Sequence, residues 1–405
     1  MLNRRENNMT TTARISLARE IMLDFSKITG LEPETTHPDR YLWTDSFAVC
    51  NYLGLFDVTG ERRYLNLGLR LVNQVHNTLG RHRADDPRKG WISGLSETEG
   101  GKHPVSGGLR IGKPMSERKS GEALDDQLEW DRDGQYYHYL TKWMHALNRV
   151  SRVTRDPVYI EWAIELARTA QEKFSYVPVS GQVKRMYWKM SIDLTYPQVM
   201  SMGQHDPLDG FITYQNLQKS AAMDFGLVLH PGLEREIADV RTICDSGNLV
   251  TDDPLGIGGL LFDATRIGDL IVNYNSRLSG LLESVLCSAL QGVGFFSESR
   301  YLQLPAQSRL AFRELGLSIG LRGIEYLNEL IGKNLEKFTK VHRRYTQSLA
   351  EYIPLAETIE QFWMKDRNRE TDTWINHQEI NMVMLATSLV PTGFLGIKSD
   401  RIKNN

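Results

Sequence analysis

Cysteine is scarce and odd in number: Cys50, Cys244 and Cys287 are widely spaced, each in an apolar, helix-like context. That argues against a disulfide framework and for a reducing compartment, so a cytoplasmic protein is expected. Charge of one sign is lacking too. A formal net charge of -2 over 405 residues gives no electrostatic reason to hold nucleic acid or an anionic membrane. Apolar runs are short: 256–261 and 281–290 soon meet polar or charged residues, so no bilayer-spanning segment is expected. Residues 1–14 are polar and lack the apolar core of a secretory signal. No low-complexity tract or Pro/Gly/Ser linker divides the chain. With 41% hydrophobic and 24% charged residues, the composition suits one folded body with ample apolar core.

Several catalytic signatures are missing as well. The chain has no helical His pair with an intervening Glu, no Walker loop and no Gly-x-Ser-x-Gly elbow. No cofactor and no metal are therefore expected. Gly256-Ile257-Gly258-Gly259 has no strand before it and reads as a place where helices pack closely.

What is present is a repeat. Leu53, Leu55 and Phe56 lead into Val58-Thr59-Gly60 and then Tyr64, Leu65, Gly68, Leu69 and Leu71. Leu147 and Val150 lead into Val153-Thr154-Arg155 and then Tyr159, Ile160, Ala163, Ile164 and Leu166. Both read as two antiparallel helices across a short turn, with Tyr64 and Tyr159 in matching places and a small residue, Gly68 or Ala163, one turn later. A repeated helical hairpin in a chain of this length implies a helical array or a closed toroid.

The remaining periodicity extends the pattern. A first helix starts near Thr12, with Ile15, Leu17, Ala18, Ile21, Met22 and Phe25 on one stripe, and stops at Gly30. Hairpins follow over 43–79 and 133–174, the second opened by Asp156-Pro157 at its outer helix. Residues 186–194 alternate and read as extended. Further helices are expected over 207–222, 232–245, 257–291 in pieces, 300–331 with a break at Gly316 or Gly320, 334–352, 355–366 and 373–389. The fold class is all-α with almost no sheet. Residues 1–12 are expected to be a disordered tail, 13–395 one toroid with a long inserted loop over 81–130, and 396–405 a C-terminal tail.

The stretches 42–79 and 136–174 resemble hairpins of the six-hairpin glycosidase-like superfamily, whose members fold as (α/α)6 toroids. The resemblance lies in an aromatic-headed inner helix, a turn such as Val58-Thr59-Gly60, and an outer helix opening Tyr-Leu or Tyr-Ile. It extends over 12–395. It implies glycoside hydrolases, unsaturated glycuronyl hydrolases or N-acylglucosamine 2-epimerase-like isomerases, and no family-specific catalytic residues transfer.

Three helix starts concentrate chemistry. The run from Glu129 to His138 holds Asp131, Asp133, Trp130, Tyr136 and His138; the acids suit helix capping as well as a sugar site, where the rings would offer flat apolar faces. Gln204, His205, Asp206 and Asp209 gather more hydrogen-bonding groups than a cap requires. Asn376, His377, Glu379 and Asn381 open a helix that is apolar all round beyond Met382, and must be satisfied by protein or ligand. Asp45 occupies the matching place in the first inner helix. Arg185, Tyr187, Trp188 and Lys189 form a basic-aromatic stretch, and Trp91 is a further aromatic expected over the cavity.

The leading expectation is a glycoside hydrolase with a small saccharide or oligosaccharide as partner. One carboxylic acid would protonate the leaving oxygen and a carboxylate would activate water or attack carbon. Asp133 and Glu379 are the expected acid and base, converging with His205 on one pocket; Asp206 and Asp209 are further catalytic candidates. Asp45, Trp130, Asp131, Tyr136, His138, Trp188, Gln204, Asn376 and His377 are the expected substrate contacts. The alternatives are a sugar epimerase using His205, His377 or His138 as acid and base, and a non-catalytic carbohydrate- or protein-binding toroid.

Overall fold

A computed structural model describes residues 10–119, 121–179, 181, 184–227, 232–245 and 247–396. Of the expected tails, 1–9 and 397–405 lie outside the described residues, while Thr11 and Thr12 already belong to the first helix, Thr11–Ile28.

Six helices form a closed inner ring in chain order: Leu42–Thr59, Tyr137–Thr154, Asp206–Asp224, Pro254–Tyr274, Ala311–Lys333 and Gln378–Leu389, the last packing against the first. They are called here the first to sixth inner helices. Outside them lie Arg62–Leu79, Val158–Phe174, Glu234–Cys244, Ser279–Glu298, and the pair Lys340–Ala350 and Ile353–Trp363. Thr11–Ile28 covers the sixth inner helix, so the two ends of the chain close the ring together. This is the (α/α)6 toroid.

The layers follow from side-chain pattern. Every residue from Leu42 to Leu55 is buried, as an inner helix with neighbours on all sides requires. The outer helix Arg62–Leu79 buries one stripe, including Tyr64, Leu67, Gly68, Leu71, Val72 and Val75. Ser279–Glu298 is long and apolar enough to cross a membrane by length and composition. It is instead an outer helix that buries Leu282, Val285, Leu286, Ala289, Val293 and Phe296.

Ala311–Lys333 runs unbroken, without the expected break at Gly316 or Gly320. Both glycines face the fourth inner helix. A Cβ at Gly258 would stand 2.1 Å from the Gly316 carbonyl oxygen, and one at Gly320 would stand 2.7 Å from that of Gly258. Glycine serves there to bring two backbones together, so helix propensity yields to packing.

Two features finish the toroid. At one end, Gln135–Tyr136, Lys189–Met190 and Pro197–Val199 form a small antiparallel sheet, with Tyr136 opposite Lys189 and Met190 opposite both Gln135 and Pro197. The long segment after Leu79 is knitted onto this sheet: Gln135 Nε2 donates to the Gly107 and Ile192 carbonyls while its Oε1 accepts from the Leu109 N–H. At the other end the short helix Thr392–Leu395 enters the ring. Gly393 meets Gly54 there backbone to backbone, and Phe394 stacks between Phe47 and Phe262 at 4.4 Å from each.

Candidate active site

The inner ring encloses a cavity of about 430 Å³. Residues of all six inner helices line it, with Trp188, Gly203, Gln204 and Thr251 from the loops at its rim and Phe394 at its base. Trp43, Phe47, Trp188, Leu255, Phe262, Ile319, Met384 and Phe394 supply apolar wall. Asp206, Asp209, Asp253, Asp263, Lys142, Arg313, His138 and His205 supply the polar groups. Flat apolar faces combined with a few converging polar groups are the features of a small-molecule site, which makes this cavity the candidate.

The charged centre is built between the second, third and fourth inner helices. Asp209 follows Asp206-Pro207, which starts the third helix, and its carboxylate turns inward. Lys142 Nζ donates to Asp209 Oδ2 at 2.8 Å, and the Thr141 hydroxyl donates to the same oxygen. Arg266 Nη1 donates to Asp209 Oδ1 at 2.9 Å and to Asp263 Oδ1 at 3.1 Å. Its Nη2 donates to the Thr213 hydroxyl at 2.7 Å.

Two buried carboxyl groups on one guanidinium cannot ionise equally. Burial pushes Asp263 up to about 7, and the charge of Asp209 adds to that push against Arg266 and Lys142. Burial acts the same way on Asp209, but Lys142 and Arg266, with the Lys142 and Thr141 hydrogen bonds, outweigh it and hold that group well below the usual carboxylate range. The result is one held anion beside one acid that keeps its proton up to about pH 7.

Towards the rim, His138 Nδ1 and Asp206 Oδ2 face each other at 3.8 Å, both buried and without a hydrogen-bond partner. His205 Nε2 meets the Leu249 carbonyl at 2.8 Å, and burial lowers its pKa. Gln204 Nε2 donates to the Asn248 and Val250 carbonyls, so both side chains tie down the loop before the fourth inner helix. Asp253 caps that helix at the Gly256 N–H and pairs with Arg313 at 2.6 Å. Trp188 stands edge-on to Trp130 at 5.1 Å. Among the described residues no group of three His, Cys, Asp or Glu side chains is placed to hold a metal.

The structure brings Asp206, Asp209, His205, His138, Gln204 and Trp188 onto one wall and leaves the other expected residues off it. Asp133 is fully buried behind the rim. Its Oδ1 accepts from the N–H groups of Gly112, Lys113 and Gly134, and its Oδ2 from Arg110 at 2.9 Å and Arg83 at 3.3 Å. Five donors make it the anchor of the long loop, not an acid open to a ligand. Glu379 is half-buried in the first turn of the sixth inner helix, and burial followed by the charge of Asp39 raises its pKa. The expected meeting of Asp133, His205 and Glu379 does not form. Asp45 is buried beneath the start of its helix, taking Arg40 Nη1 at 3.2 Å and the Tyr41 N–H at 3.1 Å.

Trp130 and Tyr136 stand one layer behind Trp188 and His138. Asp131 is exposed at the end of the short helix Asp126–Asp131. Asn376 and His377 are exposed, with His377 Nδ1 against the Thr373 carbonyl. Trp91 is buried within the long loop, under Arg81 at 4.1 Å and against Gly100.

Asp263 and Arg266 were absent from the sequence expectation. Their signal was there: two opposite charges one turn apart inside the apolar run from Ile257 to Ile267, a setting where charge must be paired. Lys142 reaches the same centre from the second inner helix.

No family model matches the sequence, and no curated protein sequence resembles it. Among solved structures, the GH76A alpha-1,6-mannanase of Salegentibacter sp. HEL1_6 is similar at 12% identity and TM-score 0.51, over 93% of this chain and 99% of that one. The GH76 alpha-mannanase of Bacteroides thetaiotaomicron is similar at 8% identity and TM-score 0.53, over 96% of this chain and 98% of that one. The chain therefore has the six-hairpin (α/α)6 toroid fold that these two glycoside hydrolase structures also adopt.

Proposed function

We propose that the protein is a glycoside hydrolase whose acid is Asp263 and whose carboxylate is Asp209. The observation carrying this reading is the pair itself: two carboxyl groups in one aromatic-walled cavity, bridged by Arg266 and driven to opposite protonation states. Asp263 would give its proton to the glycosidic oxygen as the bond to the anomeric carbon breaks, and Asp209 would take that carbon. Water would then displace Asp209 while Asp263 accepts the proton back. The two Oδ1 atoms accept from one nitrogen at 2.9 and 3.1 Å, so they lie within about 6 Å of each other, which favours retention over inversion.

The Salegentibacter enzyme was solved in complex with alpha-1,6-mannotetrose as an inactive variant in which two adjacent aspartates were replaced by alanine. Alpha-linked manno-oligosaccharides are therefore the first substrates to try. Among the described residues the cavity wall here carries no two adjacent aspartates, so its pair is assembled from two helices. The test is mass spectrometry of a panel of glycosidic and reducing sugars after incubation. Gain of one water per cleaved bond supports hydrolysis, and no gain from any glycoside removes the reading.

A second reading is sugar epimerisation. It is favoured by His138, an imidazole in the cavity wall with a buried carboxylate, Asp206, behind it. It predicts constant mass with exchange of a carbon-bound proton from solvent. A binding toroid without catalysis predicts neither change.

A further inference from the structure

We propose that this cavity is a blind pocket that admits the end of a saccharide chain, so that cleavage releases terminal units and not internal segments. The proposal rests on the hydrolase reading above and adds the mode of action.

Three observations carry it. First, the wall is continuous, since residues from all six inner helices line the cavity and no side of the ring is missing. Second, the base is sealed by the chain itself. Phe394 fills the centre of the ring between Phe47 and Phe262, with His145 edge-on at 5.2 Å. Two side chains hold the backbone of the segment: His145 Nε2 meets the Phe394 carbonyl at 2.8 Å and Arg149 Nε donates to the Gly393 carbonyl at 2.9 Å. A Cβ at Gly393 would stand 1.9 Å from the Cys50 carbonyl oxygen, so the plug sits as close to the first inner helix as backbone allows.

Third, the carboxyl pair sits next to that base. Lys142 and Arg266, which hold Asp209, lie over the Phe262 ring at 5.6 and 5.0 Å, and Phe262 stacks directly on Phe394. A bond placed between Asp209 and Asp263 therefore has the floor immediately beyond it. A terminal sugar unit would rest an apolar face on that aromatic layer, with the rest of the chain leaving past Trp43 and Trp188. Entry end-on along the ring axis is the arrangement that a wall formed by all six inner helices favours.

The test has two arms. In the first, wild-type protein is given an alpha-1,6-linked manno-tetrasaccharide tagged at its reducing end, and early products are resolved by mass. Monosaccharide with trisaccharide as the only first products is expected, and early disaccharide overturns the proposal. The second arm is independent of turnover. Tryptophan fluorescence of Asp263→Asn protein, reported by Trp43 and Trp188, is titrated with the free tetrasaccharide and with one bearing bulky ethers on both terminal units. Free sugar should bind and the blocked sugar should lose about tenfold or more in affinity. Equal affinity, or no response to either, overturns the blind pocket. End-selective binding without any hydrolysis would retain the pocket and remove the hydrolase reading. Phe394→Ala should narrow the gap between free and blocked sugar, whereas Phe394→Leu, which keeps an apolar floor in a folded protein, should preserve it.

Discussion

Replacing Asp263 with asparagine separates chemistry from stability at a single atom. Below about pH 7 Asp263 keeps its proton, so in that range the carboxamide replaces a neutral group of the same shape. Its oxygen still accepts from Arg266, and the expected change in stability is within about 1 kcal/mol. Turnover should fall roughly 100- to 10,000-fold, or about 3–5 kcal/mol on the barrier, because the leaving oxygen has lost its proton donor. Asp209→Asn should behave in the opposite way on stability. It strips the shared anion from Lys142 and Arg266, whose side chains are 11% and 6% exposed, and leaves two buried cations close together. Breaking such a pair costs about 3–5 kcal/mol. Urea denaturation measures the first quantity and the initial rate on the best glycoside of the panel measures the second. An aryl glycoside with a good leaving group should recover most of the lost rate in Asp263→Asn and little in Asp209→Asn. Full activity in Asp263→Asn, or equal destabilisation by both substitutions, would refute the division of roles.

The pH profile should carry the same signature: kcat/KM falls as pH rises through about 7, where Asp263 loses its proton, and stays level on the acid side until Asp209 begins to protonate below the usual carboxylate range. A rise in activity above pH 7 would contradict it. Burial also raises Asp45 to about 7 against the pull of Arg40. The folded chain thus keeps protons on Asp45 and Asp263 that the unfolded chain releases above about pH 4. Their stabilising contribution is present below that pH and lost as pH rises through about 7, which denaturant midpoints of the Asp45→Asn variant against wild type will show by a shrinking pH dependence. Asp133→Asn should cost about 3 kcal/mol through loss of its charged bonds to Arg83 and Arg110, yet leave the rate of the folded fraction within a few-fold; complete inactivity at unchanged stability would return it to the chemistry. Gly258→Ala places a Cβ 2.1 Å from the Gly316 oxygen and should lower stability by at least about 1–3 kcal/mol, so an unchanged melting temperature would show that the two inner helices are not in backbone contact.

Local signals carried the fold. Tyr64 and Tyr159, the turns at Gly60 and Arg155, and the stripes around them act over a few residues, and both turns take the left-handed conformation at those two positions. They name hairpins without needing a partner in space, and six hairpins have few closed arrangements. The same locality made the site harder to read. Asp133 and Asp209 both stand near helix starts in polar sequence, and nothing within reach of either along the chain distinguishes them. Asp133 is taken up by Arg83, Arg110 and three loop N–H groups, whereas Asp209 is turned inward onto Lys142 and Arg266 from two other helices.

The amino-acid pattern was enough to place most of the long helices and their apolar faces, because those depend on neighbours at short chain distance, whereas five of the six inner helices begin without the side-chain caps that acidic residues near their starts suggested. Only the tertiary structure decided which acids face the cavity, which of them keeps its proton, and that Phe394 closes the base. Each of these depends on groups brought together from distant parts of the chain: burial and the nearness of another charge set a carboxyl group's ionisation, and a ring must close before it has an inside.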